Sequence, residues 1–186
     1  MIRCIRTAAT FALALCGAVW AQNATGKWID IPFVPQQKDG CGAATIAMVM
    51  QYWHEHAQAP ATAASNYALI DATLHSAAAR GIYASDMVRY FQENHYQAFA
   101  FAGTTADLAH HLAKGRPLIV ALRPGARLPL HYVVVAGLDP DNHLVLVNDP
   151  AQRKLLKEDS PRFDREWAAA GHWTLLALPA EAPAHE

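Results

Sequence analysis

The amino-acid sequence predicts an α+β fold in which a helical N-terminal part packs on a C-terminal antiparallel sheet. Two observations lead to this prediction. Between Cys41 and Gly115 most apolar residues recur at helical spacing, whereas after Gly115 they form short β-branched or alternating runs. Helices grouped before strands are typical of α+β domains rather than of folds in which the two alternate.

The N-terminal part has the apolar spacing and the end signals of four helices. Thr104 and Asp107 have the spacing of a capping box, and Gly115 is a typical helix end. Ser85 is the predicted N-cap of the preceding helix. The segment 58–65 is rich in Ala, Pro and Thr and is predicted to be a loop. The predicted helices are Cys41–His56, 66–79, a segment that begins at Ser85, and a short segment that begins at Thr104.

The C-terminal part has the apolar runs of five strands and the composition of a hairpin turn. Residues 139–142, Asp-Pro-Asp-Asn, are predicted to form that turn. A weaker alternation at 96–101 predicts one further strand, a short helix is expected over 163–170, and 179–186 is expected to be a frayed tail. The five predicted strands are Leu118–Leu122, 131–138, 143–148, 153–156 and 173–178.

Residues 1–21 have the features of a secretory signal peptide. Arg3 and Arg6 precede a short apolar run at 7–17, which is too short to span a bilayer. The sequence Val-Trp-Ala at 19–21 fits a small-residue cleavage site. The protein is therefore expected to be exported, either to the periplasm or out of the cell.

Removal of the signal peptide would leave residues 22–186, which we expect to form a single domain with its core at about 28–178. Cys41 would then be the only cysteine, because the other two lie in the signal peptide. Lipidation of Cys16 in a lipoprotein signal is the alternative. Leu15 argues against it, because that signal requires a small residue at this position.

Composition argues against several function classes. The formal net charge is −1, loss of Arg3 and Arg6 would make it −3, and there is no basic run, so nucleic acid is not an expected partner. No segment after the signal peptide is apolar enough to span a membrane. The histidines do not occur in His-x-x-x-His pairs or beside acidic clusters, so neither a metal nor another cofactor is expected.

Cys41 is the candidate nucleophile. It lies between two glycines, after a turn-rich segment and at the start of the first predicted helix. A thiol with its ordinary pKa of ~8.5 is a weak nucleophile at neutral pH, and both a helix N-terminus and a nearby imidazolium favour the thiolate. The alternative is a buried structural thiol.

His131 is the candidate general base, because the predicted hairpin would place a carboxylate beside it. If the turn at 139–142 closes about its centre, His131 lies opposite Pro150 with Asp149 next to it. A carboxylate there would fix the tautomer of the imidazole and stabilise the imidazolium. Asn148 is the alternative orienting residue, since an amide can also do this, and a β-bulge would shift the register.

An acyl-transfer site also needs hydrogen-bond donors for the developing oxyanion. The backbone N–H of Cys41 is one candidate donor. A side-chain amide shortly before it would be the second, and Gln36 and Gln37 are both available. We prefer Gln36, because Pro35 restricts the backbone that leads into it.

Four motifs follow one another along the chain: Val-Pro-Gln at 34–36, Asp-Gly-Cys-Gly-Ala-Ala at 39–44, His-Tyr-Val-Val-Val-Ala-Gly at 131–137 and Asn-Asp-Pro at 148–150. In this order they resemble the papain-like peptidase family that processes the double-glycine leaders of bacteriocins. This is cysteine peptidase family 39, with its stand-alone relatives. The resemblance extends from Ile31 to about Leu178, nearly the whole predicted domain.

The resemblance implies a papain-like fold, a thiol peptidase mechanism without a metal, and a peptide or protein substrate. It implies that Cys41 is the nucleophile, His131 the base, Asp149 its orienting residue and Gln36 the oxyanion donor. Gln36 lies five residues before Cys41, one fewer than in the transporter-fused members, so Gln37 stays open.

The family members that process leaders are fused to an ABC transporter, whereas this chain carries a predicted signal peptide. A double-glycine leader is therefore not the expected substrate. Two alternatives to a peptidase remain. One is a catalytically silent peptide-binding module on the same fold, and the other is a thiol acyltransferase, in which an amine or a thiol replaces water.

Overall fold

The computed structural model describes residues 27–56 and 63–180. The predicted signal peptide, most of the predicted loop at 58–65 and nearly all of the predicted tail lie outside these residues. Both expected kinds of element are present, and the predicted α+β class is confirmed. The helices are α1 (Cys41–His56), α2 (Tyr67–Leu74), α3 (Ala84–Glu93), α4 (Thr105–Leu112) and α5 (Ser160–Ala168).

The strands form one antiparallel sheet. They are β1 (Lys27–Trp28), β2 (Tyr96–Ala102), β3 (Leu118–Leu122), β4 (His131–Asp139), β5 (Leu144–Asp149), β6 (Arg153–Asp159) and β7 (Trp173–Pro179). Their order across the sheet is β2-β7-β3-β4-β5-β6, and β1 pairs with the C-terminal end of β4. The strands that carry His131 and Asp149 are therefore adjacent.

Two layers of apolar side chains cover the two faces of this sheet. α1 is buried along most of its length, as expected for a helix inside a domain. Alternate residues of β3 and β4 point to opposite faces. Ile119 and Val134 belong to the cluster around α1, whereas Val120 and Val133 belong to a second cluster with α4 and α5. β4 is thus fixed by packing on both sides.

The segment before α1 turns tightly, so that Cys41 is the first residue of the helix. Asp39 has a left-handed backbone with φ 58°, and the N–H of Gly40 donates to the carbonyl of Gln37 at 3.1 Å. The hydroxyl oxygen of Tyr67 accepts from the N–H of Gln37 at 2.9 Å. The same hydroxyl occupies the place of a Cβ at Gly40, so this position has no room for a side chain.

The helix ends differ from prediction at three places. The second helix ends at Leu74 rather than 79, because Ser76 and Gly81 pair across a tight turn that no helix can continue through. The N-cap of α3 is Tyr83 and not Ser85, and no side chain caps it. α5 begins at Ser160 rather than 163, since Asp159 accepts from a backbone N–H of its first turn.

The predicted register of the β4–β5 hairpin is wrong by two residues next to the turn and by one residue further along β4. Asp139 already pairs with Leu144, so the turn occupies residues 140–143 rather than 139–142, and Gly137 pairs with Leu146 instead of Leu144. A β-bulge between Val135 and Gly137 inserts one residue into β4 and reduces the error, so that Val134 pairs with Asn148 instead of Val147.

We expect Gly40→Ala to lower the free energy of unfolding by about 1–3 kcal/mol, because its Cβ would overlap the Tyr67 hydroxyl. Urea denaturation measures this loss. The control is the same substitution in a Tyr67→Phe background, where the hydroxyl is absent and the loss should be smaller. Equal losses in the two backgrounds would show that this contact does not constrain the start of α1.

Candidate active site

His131 and Asp149 are in direct contact. His131 is the first residue of β4, and its Nε2 lies 2.8 Å from Oδ1 of Asp149, the last residue of β5. The backbone register beyond the bulge differs by one residue from the predicted one, yet the two side chains still meet. Asp149 is 4% exposed, so this hydrogen bond is screened from water.

The other side of the imidazole faces Cys41. The Cys41 side chain interacts with His131 and acts to raise the pKa of the imidazole. Nε2 of His131 is taken by Asp149, which leaves Nδ1 for the thiol. The structure therefore brings Cys41, His131 and Asp149 together in that order, from the start of α1, the start of β4 and the end of β5.

The electrostatics of the group favour a protonated imidazole. Burial acts to lower the pKa of His131, but hydrogen bonds to Asp149 and Cys41 and the negative charges of both groups raise it to about 9. Burial acts to raise the pKa of Asp149. The hydrogen bond and charge of His131 outweigh this and hold that pKa below its ordinary value.

Two further donors, neither of which was predicted from the sequence, hold the Asp149 carboxylate. Oδ1 accepts from the N–H of Ala151 at 2.9 Å, and Oδ2 accepts from Nε2 of Gln152 at 2.6 Å. The first is an Asx-turn contact, which the Asp-Pro sequence favours. No sequence motif indicates Gln152, because its contact with Asp149 depends on the turn that Asp149 begins.

Asn148, the alternative orienting residue, does not contact His131. Its side chain is fully buried and engaged elsewhere, donating to the carbonyl of Ile31 at 3.2 Å and accepting from the N–H of Leu155 at 2.9 Å. It ties the N-terminal segment and β6 to β5. Of the two predicted alternatives, the geometry therefore places Asp149 beside the imidazole.

The two glutamines before Cys41 have different surroundings. Gln37 is exposed, whereas Oε1 of Gln36 is fully buried and has no hydrogen-bond partner among the described residues. The N–H of Gln36 donates to the carbonyl of Pro150 at 2.9 Å, which ties this segment to the turn that follows Asp149. Leaving this buried carbonyl oxygen without a partner costs stability, and such atoms are rare in folded proteins.

Cys41 lies at the wall of a cavity of about 320 Å³. The sulfur-bearing residue is only 8% exposed, so this opening is its access to solvent. Tyr132 lines the same cavity, and burial together with the negative charge of Cys41 raises its pKa to about 12. Tyr132 is therefore a neutral wall of the cavity rather than a proton acceptor at physiological pH.

A second cavity, of about 510 Å³, is larger but distant in the fold from these groups. It lies between α4, α5 and the β4–β5 hairpin and is lined mainly by apolar residues such as Leu108 and Phe163. None of the predicted site residues lines it. We assign the site to the smaller cavity, because chemistry depends on the reactive groups rather than on volume.

Within the described part of the chain, no group of three His, Cys, Asp or Glu side chains is arranged to hold a metal ion. No helix there is long and apolar enough to cross a membrane.

We expect Asp149→Asn to lower the pKa of His131 below about 9, because the substitution removes the carboxylate charge. Asn148→Ala is the matched control at the next position. It should leave that pKa unchanged while lowering the free energy of unfolding by about 1–3 kcal/mol, because it removes both hydrogen bonds of a fully buried amide. An NMR pH titration of His131 measures the first effect. If the pKa of His131 fell only in Asn148→Ala, Asn148 rather than Asp149 would be the residue that orients His131.

Comparison with solved structures finds peptidase domains of the same fold. The peptidase domain of Streptococcus ComA, a bi-functional ABC transporter involved in a quorum-sensing pathway, is 23% identical, with 79% of this chain and 97% of that chain covered and a TM-score of 0.60. A C39-like peptidase from Bacillus anthracis is 15% identical, with coverages of 84% and 99% and a TM-score of 0.66.

A third structure is a double-glycine-motif protease from an AMS/PCAT transporter in complex with the leader peptide. It is 19% identical, with coverages of 82% and 94% and a TM-score of 0.59. At these identities the likeness shows the fold. No curated protein matches the chain. The model of the Peptidase_C39 like family matches residues 28–174. This match covers most of the chain, so the protein belongs to the Peptidase_C39 like family and has the papain-like peptidase fold that its sequence predicted.

Proposed function

We propose that the protein is a thiol-dependent peptidase in which Cys41 is the nucleophile, His131 the general acid and base, and Asp149 the residue that orients His131. The observation that carries this proposal is the series Cys41–His131–Asp149, which begins at a cavity that Cys41 lines. A nucleophile, a base and a buried orienting carboxylate in this order are the components of thiol acyl transfer.

The proposed reaction has two halves. The Cys41 thiolate attacks the carbonyl carbon of a peptide bond, and the imidazolium of His131 gives its proton to the departing amine, which leaves a thioester on Cys41. Neutral His131 then takes a proton from water, whose oxygen attacks the thioester. The carboxylic acid product leaves, and Cys41 departs as the thiolate. His131 keeps the proton, so the thiolate–imidazolium pair is restored.

The oxyanion of both steps needs donors that are already in place. We assign this role to the backbone N–H of Cys41 and the side-chain amide of Gln36. Cys41 is the first residue of α1, so its N–H belongs to the group that the helix leaves without intrahelical partners. Gln36 would donate through its Nε2, and its half-buried position and backbone bond to Pro150 favour it over the exposed Gln37.

A peptide is the proposed substrate class. Family membership supports it, as does the related double-glycine-motif protease, which was solved in complex with a leader peptide. We propose that the substrate is met in the periplasm or outside the cell, because residues 1–21 have the features of a signal peptide.

We expect Cys41→Ala to abolish hydrolysis of a peptide library while leaving the thermal midpoint nearly unchanged, because the side chain is small and borders a cavity. Mass spectrometry of the digest and thermal denaturation measure the two effects. A large fall of the midpoint would support a packing role for the thiol. Products from the unsubstituted protein that carry an added amine instead of water would identify an acyltransferase, and no products at all would favour a silent binding module.

We expect Gln36→Ala to lower kcat by about 100-fold, the usual effect of removing one oxyanion donor. Gln37→Ala is the matched control, and it should change kcat only slightly because that side chain is exposed. Steady-state kinetics on one cleaved peptide compares the two variants. A larger loss of kcat in Gln37→Ala than in Gln36→Ala would identify Gln37 as the oxyanion donor.

A further inference from the structure

The cavity beside Cys41 contains two arginines. Arg80 and Arg123 line it, and no acidic side chain does. Apart from Cys41 itself, the rest of the lining is neutral. A substrate that approaches Cys41 through this cavity meets two guanidinium groups, so a negative charge at that place would suit it.

The two arginines come from separate parts of the chain and are each held by the fold. Arg80 lies in the tight turn that Ser76 and Gly81 close, with a left-handed backbone at φ 51°. Arg123 follows β3, and its Nε donates to the carbonyl of Ala169 at 3.2 Å. The terminal nitrogens of Arg123 remain available for a planar anionic partner.

Neither arginine forms an ion pair in the described part of the chain. Glu166, whose carbonyl accepts from the N–H of Arg123, pairs its carboxylate with Arg162 at 2.9 Å instead. The carbonyl of Asp39 lies close to Gly81, but Asp39 does not line the cavity. Among the described residues, no carboxylate therefore neutralises these two guanidinium groups.

The start of α3 adds to this positive potential. Ala84, its first residue, lines the cavity, and no side chain caps the helix there. Asp86 in the same turn does not line the cavity, and it is paired with Arg89 at 2.9 Å. The unpaired N–H groups of a helix N-terminus favour a nearby anion.

We propose that the substrate places a carboxylate in this cavity, next to the scissile bond, where Arg80 and Arg123 bind it. This inference rests on the proposed function, because it takes Cys41 as the group that attacks the substrate. Two sources supply the same chemistry: an Asp or Glu side chain inside a peptide, and the free carboxylate of a peptide C-terminus.

Two peptide libraries distinguish these sources. The first consists of randomised hexapeptides that are acetylated and amidated, so that only Asp and Glu side chains carry a carboxylate. The second lacks Asp and Glu but has free C-termini. Mass spectrometry of the digests should show Asp or Glu enriched at one position beside the cleavage site in the first library, or cleavage near the C-terminus in the second.

Substitution of the arginines tests the assignment. For the preferred peptide we expect kcat/KM to fall about tenfold in Arg123→Gln, a factor that corresponds to about 1.4 kcal/mol. A fall of about threefold is expected in the more exposed Arg80→Gln. Arg127→Gln is the matched control, since Arg127 is exposed in the loop after Arg123 and does not line the cavity. Its kcat/KM should stay unchanged.

Peptide binding to the Cys41→Ala protein tests the carboxylate site even if the protein hydrolyses no peptide. Fluorescence anisotropy should show that a labelled Glu-containing peptide binds more tightly than its Gln counterpart, and that Arg80→Gln and Arg123→Gln weaken only the former. This result without any hydrolysis by the unsubstituted protein would refute the proposed peptidase and support the carboxylate site. Hydrolysis with no preference for a carboxylate, and no effect of the arginine variants, would overturn the carboxylate site and leave the peptidase intact.

Discussion

The hydrogen bond between Nε2 of His131 and Oδ1 of Asp149 is the interaction on which the site depends. It joins the first residue of β4 to the last residue of β5 and leaves the other ring nitrogen for Cys41. Burial opposes both shifts, yet Asp149 together with Cys41 raises the pKa of His131 to about 9, and His131 helps to hold the pKa of Asp149 below its ordinary value. The contact thus orients the imidazole and favours its protonated form.

The turn after β5 links this bond to the remaining parts of the site. A buried carboxylate is stable only when its lone pairs are satisfied, and the N–H of Ala151 and the side chain of Gln152 supply the missing donors. The carbonyl of Pro150 accepts from the N–H of Gln36, so the segment that leads to Cys41 is tied to the same turn. Cys41 and His131 are far apart in sequence. Both are positioned by the same turn, in which Asp149 holds His131 and Pro150 holds the segment that leads to Cys41.

The sequence predicted those features that depend on local patterns. Cys41 begins a helix because turn residues precede an apolar helical stripe, and the adjacency of β4 and β5 follows from the turn composition at 139–142. The register of this hairpin could not be predicted, because it depends on where the turn closes and on the β-bulge, and packing of β4 on both sides decides where the extra residue goes. Gln152 and the arginine pair were missed for a related reason: their roles arise only where separate segments converge.

The most direct test of this account is the rate at which iodoacetamide alkylates Cys41 at pH 6. Few ordinary thiols are ionised at this pH, so rapid alkylation requires a thiolate stabilised by a neighbouring cation. The account predicts that the protein reacts at least about tenfold faster than its His131→Ala variant, with Asp149→Ala between them. Equal rates in all three would contradict it, because Cys41 would then be an ordinary thiol that His131 does not activate.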